Sequence, residues 1–441
     1  MNVELAAWMF PVLLMLIFIG VPVAFSLMSV AFVFGLIQFG DAAVVMFAHR
    51  VEEVSGSHIL AALPLFVFMG AMLERSGIAE GLFETIHSWT HRLPGGVAVG
   101  AIVLCILFAM SSGVVGATET VVGMLAVPAM LKHGYDKGLI SGTICAGGSL
   151  GSIIPPSVLV VILATIADLG IGELFAAMLF PGLILAGLYI IYIMAYCALR
   201  PGAVQSDIEP VIDDRPLTQR LIHTAIVLLP PVVLIVAVLG SIIFAIAVPT
   251  EAAAIGAIGS VLMAYGYGRL SYPVIKEAVI TTLSITAMVL TIVVGGLMFA
   301  GAFAAAGGLT ALQTLLAQSQ LGAWGTLSVI LLVTFVAGFV LDLISIMLIL
   351  VPLAMPIIKS YGFDPLWFSI ALLIMMQTSM LTPPMAGAIF YFRAIAPPEI
   401  TLRDMYRGVV PFILLHFVVL ALLIAFPSLA LWLPTVMLGT G

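Results

Sequence analysis

Two stretches of this 441-residue chain carry residue types that could hold an ion or a small polar ligand in apolar surroundings. Cys145–Ser157 reads CAGGSLGSIIPPS, and Gln377–Gly387 reads QTSMLTPPMAG. Each lies inside a long apolar segment, and Pro383-Pro384 answers Pro155-Pro156 at a distance of 228 residues. No straight helix favours this composition. Glycine costs about 1 kcal/mol in a helix interior and proline about 3, and proline removes a backbone donor. In lipid every freed N–H and C=O needs a partner, so broken backbone persists only against protein or a polar cavity. The pair therefore reads as two halves of a binding site at the middle of a membrane transporter. Two ionisable residues, Glu119 and Asp342, also fall in apolar segments, where such residues are expensive and usually functional.

The whole composition agrees with that setting. The chain is 63% hydrophobic and 8% charged, with a mean hydropathy of +1.30. Soluble proteins carry about a quarter charged residues, so this is a polytopic membrane protein. The net charge of −7 resides in loops and suggests no nucleic-acid partner. Cys105, Cys145 and Cys197 read as buried small hydrophobes, and the seven histidines show no metal-ligand spacing. Trp8, Trp324, Trp367 and Trp432 read as interface anchors. Glu251 reads as a helix N-terminal carboxylate. An intramembrane enzyme would need an Asp dyad, a Ser–His arrangement or H-E-x-x-H, and none is present. The first 38 residues are too long and too weakly basic for a cleaved signal, and Ala6–Gln38 reads as a first span bent at Pro22.

An internal repeat organises the elements that must position these residues. At an offset of 228, Leu125, Pro128, Gly134, Asp136, Ser141, Pro155 and Pro156 recur as Leu353, Pro356, Gly362, Asp364, Ser369, Pro383 and Pro384. Gly70 and Gly77 recur as Gly301 and Gly308 at an offset of 231. Paired interrupted segments in two halves point to a transporter binding site. Loop charges then give orientation. Lys132–Lys137 and Arg393–Arg407 are basic, while their counterparts Lys359–Asp364 and Thr165–Glu173 hold one lysine and no basic residue. The positive-inside rule is met only when equivalent loops lie on opposite faces, which is an inverted repeat. Arg75, Arg92, Arg200, Arg215, Arg220, Arg269 and Lys276 also fall inside, and Arg50 is the exception. With residues 92 and 132 on one side, 96–131 must enter and return. Each arm of roughly 15 residues spans about 22 Å, short of a ~30 Å hydrocarbon core.

The predicted fold is therefore all-α, with two inverted repeats, each holding a re-entrant helical hairpin and a broken transmembrane helix. The first repeat is 1–199, with hairpin 96–131 and broken helix 138–167. A polar linker at 200–220 and a linking span at 221–248 follow. The second repeat is 249–441, with hairpin 325–358 and broken helix 364–396. Glu74–Pro94 reads as an amphipathic helix along the interface.

The chain resembles a known family, the large (M, or DctM-type) membrane subunits of tripartite ATP-independent periplasmic (TRAP) transporters. The resemblance rests on PLFVFMGAMLERSGIAEGLF (64–83), SSGVVGATETVVG (111–123), GYDKGLISGTICAGGSLGSIIPPS (134–157), PTEAAAIGA (249–257), GFDPLWF (362–368) and TPPMAGAIF (382–390). It implies an elevator-type fold in which a transport domain moves against a scaffold, with sodium sites between hairpin tips and helix breaks. It implies a small four-helix membrane subunit and a periplasmic substrate-binding protein as partners. It places the chain, with its membrane lipid, in the inner (cytoplasmic) membrane of a bacterial or archaeal cell. Glu119 departs from the family, which usually carries a small or hydroxyl residue there.

Sodium needs about five or six oxygens with little net charge if it is to leave again, and carbonyls at helix breaks supply them together with hydroxyls. The first ion site is expected at Ser111, Ser112, Thr118, Gly148, Ser149, Gly151, Ser152 and Pro155. The second is expected at Gly338, Asp342, Ser345, Gln377, Thr378, Ser379, Thr382 and Pro383. Glu119 and Arg393 are the substrate candidates. No cofactor is expected beyond Na+ as coupling ion. The function read from this is a permease subunit importing a small organic anion. The alternative is a stand-alone Na+- or H+-coupled di- or tricarboxylate symporter.

Overall fold

The computed structural model describes residues 3–113, 116–200, 202, 216–384 and 386–438. Among them are twenty α-helices and no strand. The first half runs α1 (Val3–Phe18), α2 (Val23–Phe39), α3 (Ala42–Ser55), α4 (Ala62–Arg75), α5 (Ile78–Thr90), α6 (Gly96–Ser112), α7 (Ala117–Lys132), α8 (Lys137–Ser149), a 3-10 turn (Leu150–Ser152), α9 (Val158–Ala167) and α10 (Ile171–Leu199). The second half runs α11 (Leu217–Ile243), α12 (Pro249–Gly266), α13 (Tyr272–Ala305), α14 (Gly308–Gln318), α15 (Gly322–Ala337), α16 (Leu343–Ser360), α17 (Pro365–Leu381), α18 (Gly387–Ile395), α19 (Leu402–Ala425) and α20 (Ser428–Leu438).

Five helices, α10, α11, α13, α16 and α19, are long and apolar enough to cross a membrane. At 34 residues, α13 is the longest of the described helices, about 51 Å at 1.5 Å per residue. Helices α4 and α5 meet at a bend of 68°, where Gly77 takes a left-handed φ of 65°. Helix α5 buries Ile78, Ala79, Leu82, Ile86 and Thr90 on one side, as expected of an amphipathic helix.

The paired breaks are present as helix interruptions. Helix α6 stops at Gly113 and α7 resumes after Gly116, and both glycines have positive φ. Helices α15 and α16 are divided at 338–342. The 3-10 turn and Pro155-Pro156 separate α8 from α9, and residues 382–386 separate α17 from α18. Both Pro-Pro peptide bonds are cis. The repeated glycine–aromatic–aspartate turn also folds alike in the two halves. Gly134 and Gly362 are left-handed. Asp136 accepts the Leu139 N–H at 3.0 Å, and Asp364 accepts those of Leu366 and Trp367 at 2.8 and 2.9 Å. Each aspartate thereby satisfies orphan donors at the start of the helix that leads into a break.

Three expectations change. Ala6–Gln38 is two helices, because Gly20 turns with φ +97° and Pro22 supplies no N–H. Helix α11 begins at Leu217, so Arg220 is helical; its guanidinium donates to the Ser88 carbonyl and lies 4.3 Å over the Trp89 ring. Residues 201 and 203–215 of the linker, Arg215 among them, lie outside the described residues. Trp367 is not an interface anchor. It is 3% exposed and its indole N–H donates to the Leu423 carbonyl at 3.0 Å, whereas Trp8, Trp324 and Trp432 are exposed. A carbonyl left free inside the bundle gives that N–H a partner, which lets Trp367 sink into the core. Glu251 accepts the Val248 N–H at 3.2 Å, at the start of α12.

The core is built around the interrupted helices. Every α8 residue from Leu139 to Ser149 is buried, as is every α17 residue from Leu366 to Leu381. Helix α8 packs on α19 through glycines: a Cβ on Gly142 would meet the Gly408 carbonyl and the Phe412 ring, and one on Gly408 would meet the Gly138 carbonyl. Small residues let backbones approach where lipid offers no hydrophobic drive. Gly142→Val is expected to lower stability by about 1–3 kcal/mol through overpacking. Gly187→Ala, where nothing lies within 4 Å of the new Cβ, is expected to be neutral or stabilising by up to about 1 kcal/mol. Thermal melting of the purified protein in detergent checks both.

Candidate ion and substrate site

Each helix interruption leaves carbonyls and N–H groups without helical partners, and the structure fills several of them by placing tip against break. The Val158 N–H donates to the Gly113 carbonyl at 3.2 Å, joining the α6–α7 tip to the first break. A Cβ on Gly113 would crowd the Pro156 carbonyl at 2.7 Å, so the close approach requires glycine there. In the second half, a Cβ on Gly338 would overlap the Ser379 hydroxyl, which places the α15–α16 tip on α17 just before its break.

The expected hydroxyls sit at these junctions. Ser111 donates to Phe108 O at 2.9 Å, Ser149 to Ala146 O at 2.8 Å and Ser152 to Ser149 O at 2.9 Å. Thr378, Ser379 and Thr382 donate to Ile374 O, Met376 O and Thr378 O at 2.6–2.7 Å. In each case the proton is directed into the helix and the oxygen lone pairs remain available as acceptors. That state suits a cation ligand as well as it suits a structural back-bond. Thr118, Gly148, Gly151 and Pro155 lie at or beside the first junction, with Thr118 fully buried, and Pro383 lies at the second. The Ser112 side chain lies outside the described residues.

Four placements go beyond the sequence expectation. Asp342 is exposed. Its carboxylate accepts the Ile344 and Ser345 N–H groups at 3.1 and 3.3 Å and the Ser345 hydroxyl, capping α16 at the tip. Gln377 reaches across to the first half, and its Nε2 donates to the Ser149 carbonyl at 2.7 Å. Gln377 therefore links the two breaks. Glu119 is fully buried against Gly148, where an added Cβ would overlap the carboxylate. Its Oε2 accepts the Gly116 N–H at 2.8 Å, while Oε1, like Gln377 Oε1, has no hydrogen-bond partner among the described residues. Arg393 donates to the Ile400 carbonyl at 3.0 Å, beyond the end of its own helix.

Some participants were not singled out in the sequence. Tyr189 on α10 is fully buried, and its hydroxyl lies 3.3 Å from the ring nitrogens of the equally buried His416 on α19. A histidine inside an apolar span was the available signal. Tyr391 lays its ring over Gly116, so α18 covers the first tip. No group of three His, Cys, Asp or Glu residues gathers as a metal site among the described residues.

The contact between Glu119 and Gly148 generates a paired test. Gly148→Ala should lower stability by about 1–3 kcal/mol, because the methyl group overlaps the carboxylate. Adding Glu119→Ala removes the obstacle and should recover most of the loss. A thermal-melting double-mutant cycle measures this, and additive effects would contradict the contact.

Residues 10–429 match the profile of the tripartite ATP-independent periplasmic transporter, DctM component. The C4-dicarboxylate TRAP transporter large permease protein DctM of Pseudomonas aeruginosa is 28% identical over 90% of this chain and 91% of its own. The ectoine TRAP transporter large permease protein TeaC of Halomonas elongata is 31% identical over 85% and 86%. The sialic acid TRAP transporter large permease protein SiaM of Vibrio cholerae is 29% identical over 97% of both chains. Among solved structures, the Alcanivorax borkumensis YdaH transporter shares the fold, with a TM-score of 0.61 over 89% of both chains at 16% identity. The helices described above, matched from near one end to near the other, make this chain a member of the DctM family, the large permease components of TRAP transporters.

Proposed function

We propose that this chain is the permease subunit of a secondary transporter that imports a small organic anion across the inner membrane, driven by a Na+ gradient. The observation that carries the proposal is the seating of each tip on a break, Gly113 on Val158 and Gly338 beside Ser379, with Gln377 joining the two sites. Such junctions gather carbonyl and hydroxyl oxygens with little fixed charge, a donor set suited to a monovalent ion that must bind and leave. At the first junction Ser111, Thr118, Ser149, Ser152 and the carbonyls around Gly148, Gly151 and Pro155 would hold one ion. At the second, Gly338, Ser345, Thr378, Ser379, Thr382 and Pro383 would hold another, with Asp342 capping the tip. The ions order the tips against the breaks and thereby complete the substrate site.

The substrate class follows the relatives, whose names specify C4-dicarboxylates, ectoine and sialic acid. Delivery by a periplasmic binding protein and assembly with a small membrane subunit follow from the tripartite family. The loop-charge pattern supports an inverted arrangement of the two halves, in which the tips and breaks move together past the remaining helices.

Reconstitution tests each part. In proteoliposomes with the small subunit and the cognate binding protein, uptake should require an inward Na+ gradient. Ser379→Ala and Thr382→Ala should raise the Na+ concentration for half-maximal uptake several-fold, about 1 kcal/mol for one weakened ligand. Uptake unchanged when the Na+ gradient is removed would refute the coupling. Uptake by this chain alone would refute the dependence on partners.

A further inference from the structure

A cavity of about 330 Å³ opens beside the first tip, away from the hydroxyl clusters. Its walls include Arg75 at the end of α4, Gly116, Ala117 and Thr120 at the start of α7, Thr281 on α13 and Tyr391 on α18. Resting on the permease reading above, we propose that this cavity seats the carboxylate of the transported anion on Arg75 and the α7 N-terminus.

Four observations support it. First, Arg75 is one acceptor short. Its Nε pairs with Glu277 at 3.3 Å and its Nη2 donates to Thr281 at 3.0 Å, but Nη1 has neither solvent nor an acceptor among the described residues. A guanidinium fork is shaped for bidentate contact with a carboxylate. Second, the opposite wall is the α7 N-terminus, where Glu119 takes the Gly116 N–H and the helix dipole favours a further anion beside it. Third, the pseudo-symmetry of the chain does not call for this charge. At the offset of 231 that aligns Gly70 with Gly301, Glu74 and Arg75 fall on Ala305 and Ala306. Packing at this place in the fold is thus satisfied by alanine in the other half. Fourth, Tyr391 both lines the cavity and lays its ring over Gly116 of the first tip. The cavity therefore adjoins the first tip, where occupancy of an ion site can be felt.

Glu74 lines the same cavity, and the exposed Glu277 lies beyond Arg75. A second carboxylate on the ligand would face them. The ligand class that fits is a monocarboxylate carrying a hydroxyl or cationic donor for Glu74, rather than a dicarboxylate.

The test needs no knowledge of the natural ligand. Thr120→Cys is placed in a Cys197→Ser background, where the remaining Cys105 and Cys145 are fully buried. Rates of modification are compared for methanethiosulfonates bearing a sulfonate or a trimethylammonium group. The sulfonate reagent should react faster. Arg75→Gln should reduce that preference roughly tenfold, Arg75→Lys should restore most of it, and Glu74→Gln should increase it. Melting temperatures establish that each variant is folded. Preference for the cationic reagent, or a ratio unmoved by Arg75→Gln, would overturn the proposal. Loss of Na+-driven uptake in the reconstituted system with the Arg75-dependent preference intact would instead count against the permease reading.

Discussion

The hydrogen bond from the Val158 amide to the Gly113 carbonyl expresses the constraint under which the rest of this protein is built. A chain this apolar can interrupt a helix only where something else meets the freed backbone. Here one interruption meets another. The α6–α7 tip gives up its regular bonding at Gly113 and Gly116, and the first break gives up its own between Leu150 and Ser157. Each supplies part of what the other lacks. The glycines at these points are required by contact as much as by turn geometry, since a Cβ at Gly113 would strike the Pro156 carbonyl and one at Gly148 the Glu119 carboxylate. The same logic extends across the two halves, where the Gln377 amide bonds a Ser149 carbonyl exposed by the approach of a break.

Much of this was legible in the sequence because it depends on backbone chemistry that few residue types can serve. Gly-rich and Pro-Pro segments inside apolar runs located all four interruptions to within a few residues, and the glycine–aromatic–aspartate turns located two helix starts. The pairing of tips with breaks anticipated the close approach of Gly338 to Ser379. What was not legible depends on side-chain direction. Gln377 was assigned to the second site because it lies in the second break, but a long flexible amide can reach the first. Trp367 has the composition of an interface anchor, and only the neighbouring Leu423 carbonyl makes it a core residue. The Tyr189–His416 pair joins helices more than two hundred residues apart, a relation that no local pattern carries.

Glu119 shows how a buried carboxylate is accommodated in an apolar chain. A carboxylate at this depth would ordinarily demand a basic partner. Instead one oxygen takes an N–H from the turn that α7 leaves unbonded, and the side chain packs flat on a glycine. The accommodation uses groups that the fold exposes in any case, so no basic residue is needed beside it. The cost falls on Oε1, which lacks a donor among the described residues.

Helix α13 has a consequence for how the protein sits in lipid. Standing upright, its roughly 51 Å would exceed a ~30 Å hydrocarbon core by about 20 Å. Even at a tilt of 40°, the upper end of the usual range, about 9 Å would overhang. The polar residues Lys276 and Glu277 lie in its opening turns, so the surplus belongs at the Tyr272 end. Glu277 and Thr281, the two α13 residues that hold Arg75, stand only about 8–14 Å from that end. The mismatch between helix and bilayer thus brings the guanidinium to the edge of water, where a fixed positive charge is cheap to maintain.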